Sequence, residues 1–132
     1  MFSSKELDLL QKAIYLVAEI PDMTPILRCH EVARIIGSLL NLQVQDGHYG
    51  PVEHSWLWMK PWKNGKYPPN ILDVYSVGSL PQVKLVNFST ILPDGNAYKP
   101  GPVRDDIRQN VVSDIISSLH PCTLADFRIR VL

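Results

Sequence analysis

The chain has 132 residues; 45% of them are hydrophobic and 20% are charged, and 13 basic residues balance 13 acidic ones. This composition predicts a single globular domain over residues 1–132 with a hydrophobic core, and it excludes a disordered segment. Zero net charge argues against a nucleic-acid-binding protein, and no apolar run is long enough to span a membrane.

The first residues lack the basic-then-apolar order of a signal peptide, so we expect a cytoplasmic protein with no membrane association. In a reducing compartment both cysteines, Cys29 and Cys122, are expected to be free thiols. The oligomeric state is left open.

The first element is expected to be a helix over residues 4–19. Ser3 and Glu6 have the spacing of a capping box, in which each side chain accepts a hydrogen bond from the other residue's backbone N–H. Apolar residues then recur at helical spacing and predict the buried face. This face consists of Leu7, Leu10, Ile14 and Val17, widened by Leu9, Ala13 and Ala18.

A second helix is expected from Thr24 to about Leu40, with Thr24 as the N-cap and Pro25 at the first helical position. Its apolar face includes Cys29, which places the thiol in the early turns and towards the core. The other members of this face are Val32, Ala33, Ile35, Ile36, Leu39 and Leu40.

The middle of the chain changes to the patterns of strands and turns. A short strand at residues 42–44 is followed by the turn signal Asp46-Gly47. Further strands are expected at residues 52–59, 71–76 and 83–88, because apolar and aromatic residues dominate there.

After a turn at residues 93–96, a third helix is expected from Pro102 to about Leu119, and residues 127–132 alternate as an edge strand would. The apolar stripe of this helix is formed by Val103, Ile107, Val111, Ile115 and Leu119. Helices on both sides of a block of sequential strands predict the α+β class, with helices packed on an antiparallel sheet.

Three residues of these elements have the chemistry of a cysteine-nucleophile site. Cys29 lies near the start of the second helix, where the partial positive charge of the helix end favours ionisation of the thiol. His54, on the following long strand, would pair with the thiolate and move protons. Asp73, on the next strand, would fix the tautomer of the imidazole. A charge within an apolar strand is costly unless paired, which favours a functional role for Asp73.

A hairpin between the second and third strands would bring His54 and Asp73 together. A two-residue turn at Asn64-Gly65 makes facing residue numbers sum to 129, which pairs Trp56 with Asp73. His54 and Asp73 are then diagonal neighbours on one face of the sheet. A sum of 127 would place them directly opposite each other, again on one face.

Three segments resemble the core of the transglutaminase-like branch of the papain-like cysteine peptidase superfamily. They are residues 28–34 (RCHEVAR), 53–56 (EHSW) and 71–75 (ILDVY), and the resemblance covers roughly residues 24–88. The family places a cysteine at a helix start, a histidine in a His-small-Trp strand motif and an aspartate on the following strand.

This resemblance implies a papain-like core in which Cys29 is the nucleophile, His54 the general base and acid, and Asp73 the orienting carboxylate. The glycine and tryptophan that usually accompany the family cysteine are replaced by Arg28 and His30. The implied oxyanion donors are the backbone N–H of Cys29 and a second group that the sequence does not identify.

Three further residues are candidates for substrate binding. Trp56 follows the histidine as the family tryptophan does, although a core position is its simplest interpretation. His48 and Tyr49 belong to the expected turn at residues 46–50, which would form a mobile wall of the cleft.

The remaining histidines and cysteines indicate no further site. His30 adjoins Cys29 but points about 100° round the helix, so we expect it at the surface; the alternative is that it lowers the pKa of the thiol. The cysteines and histidines lack the spacing of a zinc site, so we expect no metal and no cofactor.

Two classes of function fit these observations. In the first, Cys29 attacks an amide or ester of a peptide or protein substrate, forms a thioester, and passes the acyl group to water or to an amine. The protein would then be a peptidase, an amidase or deamidase, or a transglutaminase-type enzyme, and the sequence does not choose between hydrolysis and transfer. In the second, the same fold is a non-catalytic protein-binding or inhibitory module that uses the basic and aromatic residues 60–67.

Overall fold

The computed structural model describes residues 2–20, 27–61, 67–75, 82–89, 95 and 97–119. Its elements are α1 (Ser4–Ala18), α2 (Cys29–Leu40), β1 (Gln43–Tyr49), β2 (Val52–Trp58), β3 (Asn70–Asp73), β4 (Lys84–Asn87) and β5 (Tyr98–Pro100). A further helix, α3, occupies residues 109–119. The strands form one antiparallel sheet in the order β4-β3-β2-β1-β5. The predicted α+β class is confirmed in this general form. Among the described helices, none has the length and apolar character needed to cross a bilayer.

Helix α1 begins with the predicted capping box. Ser3 Oγ accepts from the Glu6 N–H at 3.1 Å, and Glu6 Oε1 accepts from the Ser3 N–H at 2.9 Å. The buried face is rotated from the predicted one, because Glu6 Oε2 also accepts a hydrogen bond from Asn70 on β3 at 2.7 Å. Leu7 and Ile14 consequently face outward and are 47% and 44% exposed. The buried side chains of α1 are Glu6, Ala13 and Leu16.

Helix α2 begins at Cys29, so the expected start at Thr24 was wrong; Thr24 and Pro25 themselves lie outside the described residues. Arg28 is extended, with φ −85° and ψ 160°. Its backbone N–H donates to Glu31 Oε1 at 3.1 Å. This side-chain bond replaces the backbone acceptor that N–H groups at the start of a helix lack. Cys29 is therefore the first helical residue, closer to the helix end than the sequence predicted. The predicted apolar face is confirmed: Val32, Ala33, Ile35 and Ile36 are buried, and Leu39 and Leu40 pack against them.

Strand β1 runs to Tyr49, through the residues that were expected to form a turn. The turn follows it at Gly50, where φ is 58°. Gly47 lies within the strand, and a Cβ at this position would collide with the backbone carbonyl oxygen of Lys99 on β5. The glycine therefore permits the close approach of two strands instead of marking a turn.

The segment 101–108 is not helical, so the expectation of a helix from Pro102 was wrong. Its backbone donors bind β1: the Gly101 N–H donates to the Asp46 carbonyl oxygen at 2.8 Å, and the Arg104 N–H donates to Asp46 Oδ2 at 3.0 Å. Val103, which was expected on the buried stripe, is 85% exposed. Of the turn expected at 93–96 only Gly95 is described, and the strand expected at 127–132 lies outside the described residues, as does Cys122.

The register of β2 against β3 is the one that a sum of 129 predicts. Leu57 faces Leu72 and Trp58 faces Ile71. The turn that would set this register, Asn64-Gly65, lies outside the described residues. The confirmed register makes Asp73 a diagonal neighbour of His54 on one face of the sheet.

The sheet has two different faces, because side chains alternate along each strand. One face packs against the helices and contributes Leu57 and Leu72 to the main core. The other carries a smaller aromatic core of Trp56, Trp58, Ile71 and Tyr98. His54 and Asp73 lie on this aromatic face, whereas Ser55 points to the helix side.

Candidate active site

Cys29 is the first residue of α2, and its thiol lies beside two histidine rings. Sγ is 3.6 Å from Nδ1 and 3.9 Å from Nε2 of His30. It is also close enough to His54 for the thiol and the imidazole to shift each other's pKa. The thiol is half-buried and forms no disulfide. Because the first turn of a helix has N–H groups without an acceptor in the helix, this position also surrounds the sulfur with partial positive charge.

His54 is held by Asp73 and Tyr98. His54 Nε2 lies 2.8 Å from Asp73 Oδ2, and the two side chains are 1% and 0% exposed. The Tyr98 hydroxyl donates to the same oxygen at 2.7 Å, and the Tyr75 N–H donates to Oδ1 at 3.2 Å. Since an ionised carboxylate only accepts, Nε2 of His54 carries the proton, and Nδ1 is the nitrogen left for Cys29.

The charge state of the site favours a thiolate beside an imidazolium. Burial acts to raise the pKa of the Cys29 thiol, but the His30 and His54 rings outweigh it and lower this pKa to about 6. Burial acts to lower the pKa of His54, but the hydrogen bond and charge of Asp73, together with Cys29, raise it to about 9. Burial and the charge of Asp73 also raise the pKa of Tyr98 far above its usual range, so Tyr98 remains a donor. Near neutral pH Cys29 and His54 are therefore expected to form an ion pair.

His30 is buried, so the expectation that it lies at the surface was wrong; it is only 5% exposed. Its Nδ1 lies 2.7 Å from Ser55 Oγ on β2. The signal for burial was present in the sequence, because His30 precedes the buried Ala33 by three residues and Gly37 by seven, and these spacings share one helix face. Sequence reasoning missed Ser55 and Tyr98 altogether, because both act through partners far away in the chain.

A chain of polar contacts continues from Ser55 to Asp46 and Arg34. Ser55 Oγ donates to Asp46 Oδ1 at 2.5 Å. Arg34 donates to both oxygens of Asp46, at 3.0 and 2.6 Å, and to the His30 carbonyl oxygen at 2.9 Å. Burial opposes ionisation of Asp46, but Arg34, Ser55 and the Arg104 N–H hold its pKa below the usual value. Asp46 is therefore a carboxylate in the folded protein.

Ion pairs hold the segment 101–108 against the start of α2. Glu31 is 0% exposed and binds Arg28 at 2.9 Å and Arg108 at 2.5 Å. The hydrogen bonds of Arg108, and then those of Arg28, keep the pKa of Glu31 far below its usual range. Asp106 joins the same network through Arg28 at 2.8 Å. The first turn of α2, which contains Cys29, is consequently held in place by Asp106 and Arg108 of the segment 101–108.

The three substrate-binding candidates occupy different places. Tyr49 packs edge-on against His54, with ring centroids 6.2 Å apart, and is near the site. His48 alternates to the other face of β1, is exposed, and lines a cavity of about 290 Å³ together with Glu53 and Arg104. Both residues belong to β1, so the expected mobile turn was wrong.

Trp56 is fully buried in the aromatic core. Its Nε1 has no hydrogen-bond partner among the described residues. The position agrees with its simplest interpretation, a core residue. Among the described residues, the candidate site included, no cluster of three or more His, Cys, Asp or Glu side chains is arranged to hold a metal ion.

Comparisons of the chain with protein-family models, with curated proteins and with solved structures found no match.

Proposed function

We propose that this protein is a cysteine-nucleophile acyl-transfer enzyme that acts on an amide or ester of a peptide or protein through a thioester intermediate. The observation that supports it most is the Cys29 thiol next to His54, whose far nitrogen binds Asp73 at 2.8 Å. We assign the fold to the papain-like, transglutaminase-like type because the cysteine helix, the histidine strand and the aspartate strand follow in that order.

In the proposed first half-reaction, the Cys29 thiolate attacks the carbonyl carbon of the substrate. The backbone N–H of Cys29, at the first position of α2, stabilises the negative oxygen that forms. The carbon–nitrogen or carbon–oxygen bond then breaks, and the leaving group takes the proton from Nδ1 of His54. The product is a thioester on Cys29 and a neutral His54.

In the second half-reaction, neutral His54 takes a proton from water or from an amine as that group attacks the thioester. Collapse of the adduct releases the acid or the new amide, and it restores the thiolate and the imidazolium. Asp73 keeps the proton of His54 on Nε2 throughout, so that Nδ1 faces the reacting atoms.

The reactivity of Cys29 tests the proposal directly, in a Cys122→Ser background that leaves one thiol to label. A thiol with a pKa near 6 is mostly ionised at pH 7, but its lower basicity also lowers its nucleophilicity, so the gain over an ordinary thiol at that pH is small. At pH 6 the difference in thiolate fraction dominates, and iodoacetamide should label Cys29 about tenfold faster than an ordinary thiol.

Acyl-enzyme formation is the second readout. Incubation with p-nitrophenyl acetate should add one acetyl group to Cys29, detected by mass spectrometry, and Cys29→Ala should remove this adduct. The labelling advantage at pH 6 should fall in His54→Ala. The enzyme proposal fails if Cys29 labels no faster than an ordinary thiol and His54→Ala changes nothing.

The same measurements separate the enzyme from the binding-module alternative, which predicts a slowly labelled Cys29. That alternative relies on residues 60–67, of which residues 62–66 lie outside the described residues.

A further inference from the structure

His30 is a second imidazole at the thiol, and the proposed reaction as described above gives it no role. Its ring lies as close as 3.6 Å to Cys29 Sγ, and its side chain is buried where an unpaired polar group would be costly. Both nitrogens lie near the sulfur, but they differ in their other partner: Nδ1 is 3.6 Å from Cys29 Sγ and also contacts Ser55 Oγ at 2.7 Å, while Nε2 lies 3.9 Å from the sulfur.

The hydrogen bonds of Ser55 determine which nitrogen of His30 carries the proton. A serine hydroxyl has one proton to donate, and Asp46, as a carboxylate, can only accept. The 2.5 Å contact between Ser55 and Asp46 therefore uses the hydroxyl proton. Ser55 Oγ must then accept from His30, so Nδ1 of His30 is protonated and Nε2 is the nitrogen that gains or loses a proton.

We propose that His30 is a second base of the site, whose Nε2 accepts the Cys29 proton and is presented to the sulfur by the Arg34–Asp46–Ser55 chain. The inference rests on the proposed function in that it takes Cys29 to be the nucleophile. In the proton transfer, the S–H bond of Cys29 breaks and an N–H bond forms on Nε2 of His30. The products are a thiolate and an imidazolium, so no further reactant is needed.

Charged groups on every neighbouring element decide how far His30 accepts this proton. They are Arg34 on α2, Asp46 on β1, Glu53 and His54 on β2, and Arg104 in the segment 101–108. Asp46 and Glu53 are negative and attract a proton on Nε2, whereas Arg34 and Arg104 are positive and repel it. An imidazolium at His54 repels such a proton as well.

The two bases differ in strength because of how each reaches its carboxylate. His54 binds Asp73 directly, at 2.8 Å, whereas Ser55 stands between His30 and Asp46. A direct carboxylate stabilises the imidazolium more than one that acts through a hydroxyl. His54 therefore holds the proton in the intact site, and His30 takes it when His54 is absent.

The test is the pH dependence of iodoacetamide labelling in the Cys122→Ser background. In His54→Ala, the midpoint of thiol ionisation should rise but stay below the value of about 8.5 for an unperturbed thiol. In the double variant His30→Gln with His54→Ala, the midpoint should reach or pass that value, because burial then acts unopposed. Lys12→Gln is the control, since this cation lies on α1 in a solvent-exposed pair with Asp8, and it should leave the wild-type profile unchanged.

Equal midpoints for His54→Ala and the double variant would overturn the role of His30. Formation of the acetyl adduct on Cys29 is measured separately, in the protein with both histidines. If the adduct forms but the midpoint of thiol ionisation does not depend on His30, this inference alone is rejected. If the midpoint depends on His30 but no adduct forms, the enzyme proposal alone is rejected. A second measurement needs no substitution at His30. Nitrogen-15 NMR of the histidine rings should show neutral His30 protonated at Nδ1, and the opposite tautomer would overturn the proposal.

Discussion

Tyr98 and His54 bind the same oxygen of Asp73, at 2.7 and 2.8 Å, although they belong to strands at opposite sides of β1. We expect Tyr98→Phe to lower the free energy of unfolding by about 1–3 kcal/mol, because a buried acceptor loses a donor. Urea denaturation at pH 7 measures this change. The control is Tyr75→Phe, which keeps the backbone N–H that binds Asp73. Equal stability of the two variants would contradict the role given to the Tyr98 hydroxyl.

The paired charges of Cys29 and His54 predict a labelling profile with two steps. Iodoacetamide labelling should rise as the thiol ionises at a pH of about 6, the pKa given by its neighbours. It should rise again at about pH 9, where His54 loses its proton. The second rise is expected because a thiolate without an adjacent cation is more basic and more nucleophilic.

In His54→Gln the step at about pH 9 should disappear, because the group that titrates there is gone, and the midpoint of thiol ionisation should rise as in His54→Ala. A single step near pH 8.5 in the wild type, the behaviour of an unperturbed thiol, would contradict the ion pair.

Gly47→Ala tests the close approach of β1 and β5. The new Cβ would overlap the Lys99 carbonyl oxygen, so β5 must move, and we expect a loss of roughly 1–3 kcal/mol. Gly101→Ala is the matched control, since its Cβ would lie 3.4 Å from the nearest atom, an ordinary contact. Urea midpoints compare the two, and equal midpoints would mean that β5 adapts without cost. Because β5 also carries Tyr98, Gly47→Ala should weaken the support of Asp73.

Glu31→Gln tests the buried ion pairs at the start of α2. Two arginines would lose their buried carboxylate, and we expect a loss of about 3 kcal/mol at pH 7. The pKa of Glu31 is lowered by Arg108 and Arg28 in the folded state, so its contribution is fully present above the ordinary value of 4.5 and falls as the pH drops below it.

The stability of the wild type should therefore decline faster than that of Glu31→Gln between pH 5 and pH 3, as measured by urea denaturation. Glu53→Gln, at a carboxylate that is 62% exposed in its pair with Arg104, should change stability little and serves as the control. Parallel pH profiles for wild type and Glu31→Gln would rule out the buried pair as a source of acid sensitivity.

The sequence was sufficient to predict what depends on near neighbours. The capping box of Ser3 and Glu6 and the shared face of His54 and Asp73 follow from local spacing and from strand alternation. The register of β2 against β3 was predicted by assuming a two-residue turn, because such a turn fixes the register of the strands that it joins.

Contacts between distant parts of the chain were not predictable in the same way. Gly47 was interpreted as a turn residue because the approach of Lys99 is invisible in local sequence. Helix α2 begins after Arg28, whose backbone N–H donates to the Glu31 side chain. Glu31 is held in turn by Arg108, which lies 77 positions further along the chain. A helix over residues 102–108 matched the apolar spacing, yet backbone bonds to Asp46 were more favourable there.

The ion pairs of the segment 101–108 also set an order of events during synthesis. Cys29 leaves the ribosome long before Asp106 and Arg108, which lie 78 and 77 positions beyond their partners Arg28 and Glu31. Tyr98, which supports Asp73, also emerges late. Contacts of such wide separation form after local ones in folding. We therefore expect Cys29 to remain an ordinary thiol in the nascent chain until residues 98–108 have been synthesised.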